Sequence, residues 1–409
     1  MDSQQALLES MRACIRGQQV HWPQDALDEA AWDGLIALAH EQHVLSLVLQ
    51  SCYGSPAFLS QSQDFRQSLL SRNRHQVVGH TMRAAALSAL WQAMDAAGFH
   101  AVIMKGAACR AVYPVQGVRA SSDEDILIPA EEFHRCLAFL KEQGFTCGAY
   151  EEDAFEVGLH RGDGLYIELH RTPFAPDDDV LGGCNGWFDG LFDRAITVSA
   201  DGFSFRVMGA QDHMLLLILH AFKHLLHSGF GSRQVCDMVL WAEHYGAEID
   251  WQSILDRCRA VRAAGFAAAV FQIGAQYLAF DAQKACLPAE LLGPEKAADL
   301  LLRDLLSGGV FGTASRSRHH SATITHNAVS AQRRGETSSL LQSLFPPQEK
   351  LQGEYPYLKK SPLLLPVAWA TRLARYGAEL LRRGDSDAAE TLRIGRERAE
   401  LLRKLDIMD

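Results

Sequence analysis

Short β-like runs interrupt an otherwise helical sequence between residues 99 and 208, and this change of periodicity constrains the fold most. His100–Met104 and Asp123–Ile128 each predict a short strand. Ala130–Gln143 follows with the apolar spacing of a helix. Phe155–His160 and Leu165–His170 flank a Gly-Asp-Gly turn, which is typical of a β-hairpin. The order of strand, helix, strand, helix and hairpin predicts an α+β domain with a small mixed sheet.

Helical sequence flanks this domain on both sides. A long helix is predicted from about Phe65 to Ala97, where Gly98 ends it, and a buried helix is predicted over Met214–Leu226. We therefore expect the sheet to be embedded between N-terminal and C-terminal helical regions. The predicted parts are an N-terminal helical region at 1–98, the α+β core at 99–208, a helical domain at 209–310, a polar basic loop at 311–345, and an extended segment with helices at 346–409.

The charge balance and the cysteines limit the classes of function. The 409 residues carry a formal net charge of −10, which argues against long nucleic acid as a partner because phosphate backbones require a positive footprint. Nine cysteines are scattered without CxxC spacing, as in proteins with reduced thiols. The N-terminal sequence lacks the apolar run of a signal peptide, and no stretch reaches the ~20 apolar residues of a membrane span. We expect a cytoplasmic protein without a membrane span.

Three acidic residues carry the first chemical signal. Side chains alternate along a strand, so Asp123 and Asp125 are expected on one face and Glu124 on the other. Two carboxylates held this close need cationic compensation, which a hard divalent ion such as magnesium supplies. Glu168, on the predicted hairpin, could complete a two-metal cluster and shares its face with His170. The alternative is that these acids lie at solvated strand ends.

A glycine turn precedes the acidic strand. Lys105-Gly106 follows the first predicted strand and comes before one or two predicted helical turns. Glycine at such a turn lets backbone N–H groups approach a phosphate, and Lys105 adds a positive charge. An ordinary strand-to-helix turn is the alternative interpretation.

These features together resemble the polymerase-beta-like nucleotidyltransferase superfamily, and more narrowly the bacterial family of uncharacterised nucleotidyltransferases. The resemblance covers about residues 30 to 375. It is carried by Ile103-Met104-Lys105-Gly106-Ala107-Ala108, Arg119, Asp123-Glu124-Asp125-Ile126-Leu127 and Ile167-Glu168-Leu169-His170, with His220, His224, Asp237 and Tyr355-Pro356-Tyr357-Leu358 downstream.

The resemblance implies transfer of a nucleoside monophosphate from a nucleoside triphosphate, such as ATP, to a small molecule, peptide or protein, with release of pyrophosphate. Asp123 and Asp125 would hold two magnesium ions, or manganese in their place, and Glu168 one of them. Glu168 could also help to deprotonate the acceptor hydroxyl.

Two residues depart from the superfamily pattern. Ala107 stands where a phosphate-binding serine is usual, so Lys105 and backbone amides would have to compensate; Ser121 and Ser122 are nearby substitutes on another loop. Glu124 stands where an apolar residue is usual, and it is expected either to face solvent or to pair with a base such as Arg119.

Downstream histidines and cations provide further candidates. His220, His224 and His227 lie on one face of a predicted helix and could chelate zinc, but no fourth ligand is evident nearby. Alternatively this helix lines the cleft, where Lys223, His224 or Arg233 would reach the phosphates, and Asp237 would orient Arg233. The basic segment at 312–343 is either a solvated loop or a lid over the triphosphate.

Two other classes of function remain open. Ala107 and Glu124 favour a nucleotide-binding or interaction module that has the same fold without turnover. A glycosyltransferase that uses Asp-x-Asp on nucleotide sugars would need a larger parallel sheet, with which the helical flanks do not agree.

Overall fold

The computed structural model describes residues 1–227, 229–308, 348–351, 355–359, 361, 364–371 and 397–408. The described residues confirm an α+β fold in which one seven-stranded mixed sheet lies among helices. The predicted basic loop at 311–345 lies outside the described residues, as does much of the segment at 346–409.

The sheet is built from seven short strands in the order β3-β4-β5-β2-β1-β7-β6. β2 runs parallel to β5 and β1 parallel to β7, whereas the other neighbouring pairs are antiparallel. The strands are β1 (Val102–Ile103), β2 (Glu124–Leu127), β3 (Thr146–Cys147), β4 (Glu156–His160), β5 (Tyr166–His170), β6 (Ile196–Ala200) and β7 (Phe203–Val207).

Five helices precede the sheet: α1 (Ser3–Ile15), α2 (Glu29–Glu41), α3 (Leu45–Cys52), α4 (Pro56–Leu59) and α5 (Gln63–Ala96). The 34-residue helix α5 begins at the cap residue Ser62, whose hydroxyl accepts the Phe65 N–H, and ends just before Gly98 at a φ of +71°. Its C-terminal half packs on the sheet through Trp91, whose ring contacts Phe205 of β7. The long helix predicted from the sequence is therefore confirmed.

Two helices lie within the sheet segment, α6 (Ala107–Arg110) and α7 (Phe133–Glu142). The helices that follow it include α8 (Ala210–His227), α9 (Ser232–Tyr245), α10 (Trp251–Ala260), α11 (Ala264–Tyr277), α12 (Glu295–Gly308) and a one-turn helix at Gln348–Leu351. Helix α8 is buried along most of its length, and His213 stacks on Trp241 of α9 with ring centroids 3.9 Å apart. Asp212 lies in the first turn of α8, where it pairs with Arg194.

One continuous apolar core joins these elements, from Ala6 in α1 to Ile407 near the C-terminus. A separate small cluster contains Leu351, Tyr355, Leu358 and Ala368. The predicted division of the chain into separate domains stays a prediction. No helix among the described residues is long and apolar enough to cross a membrane.

The predicted β-hairpin is confirmed as β4 and β5, but the sheet is larger than the sequence indicated. Strands β3 and β6 were not predicted, because each becomes a strand only through antiparallel pairing, β3 with β4 and β6 with β7. The second predicted strand begins one residue later than expected, so Asp123 precedes β2.

Candidate functional site

Two acidic residues meet across neighbouring strands. In the parallel pairing of β2 with β5, Asp125 is the direct partner of Glu168, so both side chains project from the same face of the sheet. His170 lies two residues beyond Glu168 and shares this face. The Nε2 atom of His170 is 3.3 Å from Oδ1 of Asp125 and 3.8 Å from Oε2 of Glu168. Ligand atoms of the three residues lie within 4.8 Å of one another.

Asp123 occupies a different position from these three. It is half-buried at the entrance to β2, where Ser122 donates a hydrogen bond of 3.1 Å to its carboxylate. Asp123 and Asp125 both line the cavity described below. Among the described residues, the cluster of ligand atoms consists of Asp125, Glu168 and His170 and does not include Asp123.

The chemistry of this cluster fits a divalent metal ion. Both ring nitrogens of His170 are buried and make no hydrogen bond within the described part of the chain. Carboxylate oxygens suit magnesium and manganese, and imidazole is a ligand of the later divalent ions. Burial opposes a charge on His170, but Asp125 and Glu168 outweigh it and raise the pKa of the imidazole. The cluster therefore attracts positive charge.

Lys105 brings a cation to the same carboxylate. Its Nζ lies 2.8 Å from Oδ1 of Asp125 and 2.8 Å from Nε2 of His220. Burial alone would lower the pKa of Lys105, but Asp125 raises it, and Lys105 in turn holds the pKa of Asp125 well below its usual range despite burial. Burial and then Lys105 lower the pKa of His220, so a neutral His220 accepts the lysine hydrogen bond.

Glu124 holds the glycine turn through a hydrogen bond to its backbone. Gly106 has a φ of +63°, and the Ala107 N–H donates a 2.7 Å hydrogen bond to Oε2 of Glu124. Glu124 is buried and also accepts from Arg110 at 2.7 Å and from Ser121 at 3.0 Å. Of the two expectations for Glu124, exposure to solvent is wrong and pairing with a base is confirmed, although the base is Arg110 and not Arg119. The Ala107 amide, expected to bind phosphate, is engaged by this carboxylate.

Arg119 instead forms a buried pair with Asp237. Its guanidinium donates to both carboxylate oxygens, at 3.1 and 2.7 Å, and the Tyr113 hydroxyl donates to Oδ1 at 2.8 Å. Asp237 was expected to orient Arg233, but Arg233 donates to the Ala120 carbonyl. The predicted ion pair between Arg233 and Asp237 is therefore wrong. Asp237 faces the loop before β2, where Arg119 and Tyr113 donate hydrogen bonds to its two oxygens.

Many residues of the candidate site line a cavity of about 520 Å³. Nine of the residues predicted for the site line it: Lys105, Gly106, Arg119, Ser121, Ser122, Asp123, Asp125, His224 and Arg233. Four do not: Ala107, Glu168, His170 and Lys223. Ala107 is fully buried beneath the turn. The cluster of Asp125, Glu168 and His170 thus adjoins the cavity through Asp125.

Part of the cavity wall comes from the N-terminal helical region, which no local sequence signal connects to the site. His40, His43, Gln76 and Arg83 contribute to the lining. Arg83 also reaches the carbonyl of Ser121 at 3.4 Å. No motif in the sequence marks these residues, because their position depends on packing of α2 and α5 against the loop that precedes β2.

The histidines of α8 do not form a metal cluster among the described residues. Nε2 of His224 lies 3.3 Å from Nε2 of His220, and Nε2 of His227 lies 3.8 Å from Asp178. Burial, followed by Lys105 and Lys223, lowers the pKa of His224 to about 3. The face of α8 that carries His220 and His224 lines the cavity, as one of the two interpretations expected.

Comparison with known protein families gives a match that covers the elements of the site. The profile of the uncharacterised nucleotidyltransferase family matches residues 28–279, which include the turn, β2, β5 and the cavity helices. Searches of the curated proteins and of the solved structures found no match. The matched segment spans more than half of the chain, and the chain therefore belongs to the uncharacterised nucleotidyltransferase family.

Proposed function

We propose that this protein is a metal-dependent nucleotidyltransferase. It transfers a nucleoside monophosphate from a nucleoside triphosphate to a hydroxyl or similar group on a small molecule, peptide or protein. The acceptor oxygen forms a bond to the α-phosphorus, the bond from that phosphorus to the bridging oxygen breaks, and pyrophosphate leaves. The acceptor proton passes to a base at the site or to solvent.

The pairing of Asp125 with Glu168 is the observation that carries this proposal. Buried or half-buried carboxylates on adjacent strands repel each other unless cations compensate them. Asp125, Glu168 and His170 would hold one ion, and Asp123 with Asp125 would hold a second at the cavity wall. When bound, magnesium or manganese ions would neutralise the triphosphate and activate the attacking oxygen.

The cavity offers a cationic wall to a triphosphate. Lys105 stands beside Asp125, and Arg233 and Arg83 line the same space. Arg119 also lines it, but Asp237 already neutralises its charge. Lys105 and Arg233 are accordingly the residues that we assign to the phosphates, with His224 and the hydroxyls of Ser121 and Ser122 nearby. We also assign to Glu168 the acceptance of the acceptor proton.

Two observations favour the alternative of a nucleotide-binding module with slow or no turnover. Lys105 pairs with Asp125 at 2.8 Å and so competes with a metal ion for that carboxylate. The Ala107 amide is engaged by Glu124 and is not presented to the cavity. A protein of this kind would bind a triphosphate without releasing pyrophosphate.

One assay separates these alternatives. The protein is incubated with each nucleoside triphosphate and magnesium or manganese, and pyrophosphate release is measured beside the Asp123→Ala/Asp125→Ala variant. Metal-dependent release that the variant lacks supports transfer. Calorimetric binding of a triphosphate without release supports the alternative, and no binding of any triphosphate rejects both.

A further inference from the structure

We infer that Glu124 is a positioning residue, which holds the Lys105-Gly106-Ala107 turn in the conformation that places Lys105 at the cavity. The predicted effect of Glu124 on nucleotide binding rests on the proposed function. Its physical basis is the buried carboxylate of Glu124 on the face of β2 opposite to Asp125.

Three donors converge on this carboxylate. The Ala107 N–H donates to Oε2 at 2.7 Å, and the Arg110 guanidinium and Ser121 hydroxyl donate to Oε1 at 2.7 and 3.0 Å. Hydrogen bonds to a charged, desolvated group are shorter and stronger than neutral ones. One side chain therefore joins the turn, helix α6 and the loop before β2.

The conformation of Gly106 matches the space that Glu124 occupies. A Cβ atom at Gly106 would lie 2.0 Å from Oε2 of Glu124, closer than any real contact. The φ of +63° is also one that residues with a side chain rarely adopt. The backbone of Gly106 thus passes directly over the carboxylate, and any other residue type would displace the Glu124 carboxylate and adopt a strained φ.

Glu124 belongs to a series of buried charged and polar side chains that are linked by hydrogen bonds. Arg110 donates a second hydrogen bond, of 2.7 Å, to Asp201, and Asp201 lies 3.0 Å from Nε2 of His80 in α5. All four residues are buried or nearly so, and Arg110 is 1% exposed. Because both oxygens of Glu124 are satisfied and Arg110 is paired at both ends, the carboxylate has one rigid position.

The consequence for the site is carried by Lys105, which directly precedes Gly106. Its Nζ reaches both Asp125 and His220, so a shift of the turn moves the cation relative to the metal ligands. Glu124 itself does not line the cavity, which is why its effect on nucleotide has to pass through the turn.

The test compares wild-type protein with Glu124→Gln, which keeps the shape, and Glu124→Met, which removes both acceptors. Glu131→Gln, an exposed glutamate nearby, is the matched control. Amide hydrogen exchange of the segment 104–110 is measured first, since it needs no nucleotide. Loss of a charge-assisted hydrogen bond should speed exchange about ten-fold in Glu124→Met, with Glu124→Gln between that variant and wild type.

The second readout is nucleotide affinity. KM for the triphosphate should rise about ten-fold in Glu124→Met, and less in Glu124→Gln, because a displaced Lys105 no longer reaches the phosphates. Unchanged exchange in both variants would overturn the inference. Faster exchange with unchanged KM would overturn the positioning role and leave a structural one. If wild-type protein binds no triphosphate, the proposed function fails, and the exchange result still decides whether Glu124 holds the turn.

Discussion

Asp125 and Glu168 are directly paired residues of two parallel strands, and this register brings two carboxylates to one face of the sheet. The two residues are far apart in the sequence. The antiparallel hairpin of β4 and β5 brings Glu168 next to Asp125. His170 follows on the same face and completes the proposed cation site. The consequences below follow from this geometry and from the charges buried around it.

Glu168 and Glu156 form a matched pair for testing which carboxylate holds metal. Both face His170, at 3.8 and 3.5 Å, but only Glu168 belongs to the cluster with Asp125. Glu168→Gln should weaken manganese binding by about ten-fold or more, since a carboxylate ligand is lost. Glu156→Gln should change it much less. Titration followed by electron paramagnetic resonance gives both affinities, and equal losses would reject the assignment.

Arg233 should contribute mainly to triphosphate binding. Its guanidinium lines the cavity and donates to the Ala120 carbonyl. Arg233→Ala should raise KM for the triphosphate about ten-fold, corresponding to one charge-assisted contact. Arg259→Ala, at an exposed position outside the cavity, is the control. Steady-state kinetics in which both variants behave alike would show that Arg233 does not contact the phosphates.

Much of the fold follows from local sequence signals. Helix α5 could be predicted because apolar periodicity and a terminal glycine are local, and the hairpin of β4 and β5 because its glycine turn is local. Strand β6 could not be predicted, since its residues form a strand only through pairing with β7.

The partners inside the site were less predictable than the site itself. Glu124 and Arg110 are separated in the chain, and their pairing depends on how α6 turns under β2. In the same way, His40 and Arg83 reach the cavity only because the N-terminal helices pack against the loop before β2. Sequence patterns identify residue types and faces, but they do not specify which buried charges neutralise each other.

The buried ion pair between Arg119 and Asp237 should contribute more to the free energy of unfolding than an exposed ion pair does. Asp237→Asn leaves Arg119 charged and buried without a carboxylate partner, and its single amide oxygen replaces two oxygens that accept from Arg119 and Tyr113. We expect a loss of about 3–5 kcal/mol in the free energy of unfolding. The exposed pair of Arg259 with Asp256 is the control, and Asp256→Asn should change stability by less than about 0.5 kcal/mol. Similar losses in urea denaturation would contradict the role of burial.

His213 should make folding stability depend on pH. Burial lowers its pKa to about 3, so the imidazole stays neutral in the folded protein while the unfolded chain binds a proton near pH 6.5. The free energy of unfolding should therefore fall as pH drops from 6.5 toward 3, by up to about 1.4 kcal/mol per pH unit from this residue.

His213→Phe tests that prediction, since phenylalanine keeps a flat ring against Trp241 and cannot titrate. Urea denaturation at pH 7 and pH 5.5 avoids most carboxylate titration. The variant should lose less stability between these two values than the wild type. Equal losses would mean that His213 is not buried in its neutral form.

We expect Asp125 and Glu168 together to bind a metal–nucleotide complex. Calorimetric titration of the protein with a non-hydrolysable nucleoside triphosphate, with and without magnesium, tests it most directly, beside Asp125→Asn. We predict metal-dependent binding by the wild type and a loss of at least about 100-fold in the variant, as expected when a buried ligand of the ion is removed. Binding that is unaffected by magnesium or by Asp125→Asn would contradict the account.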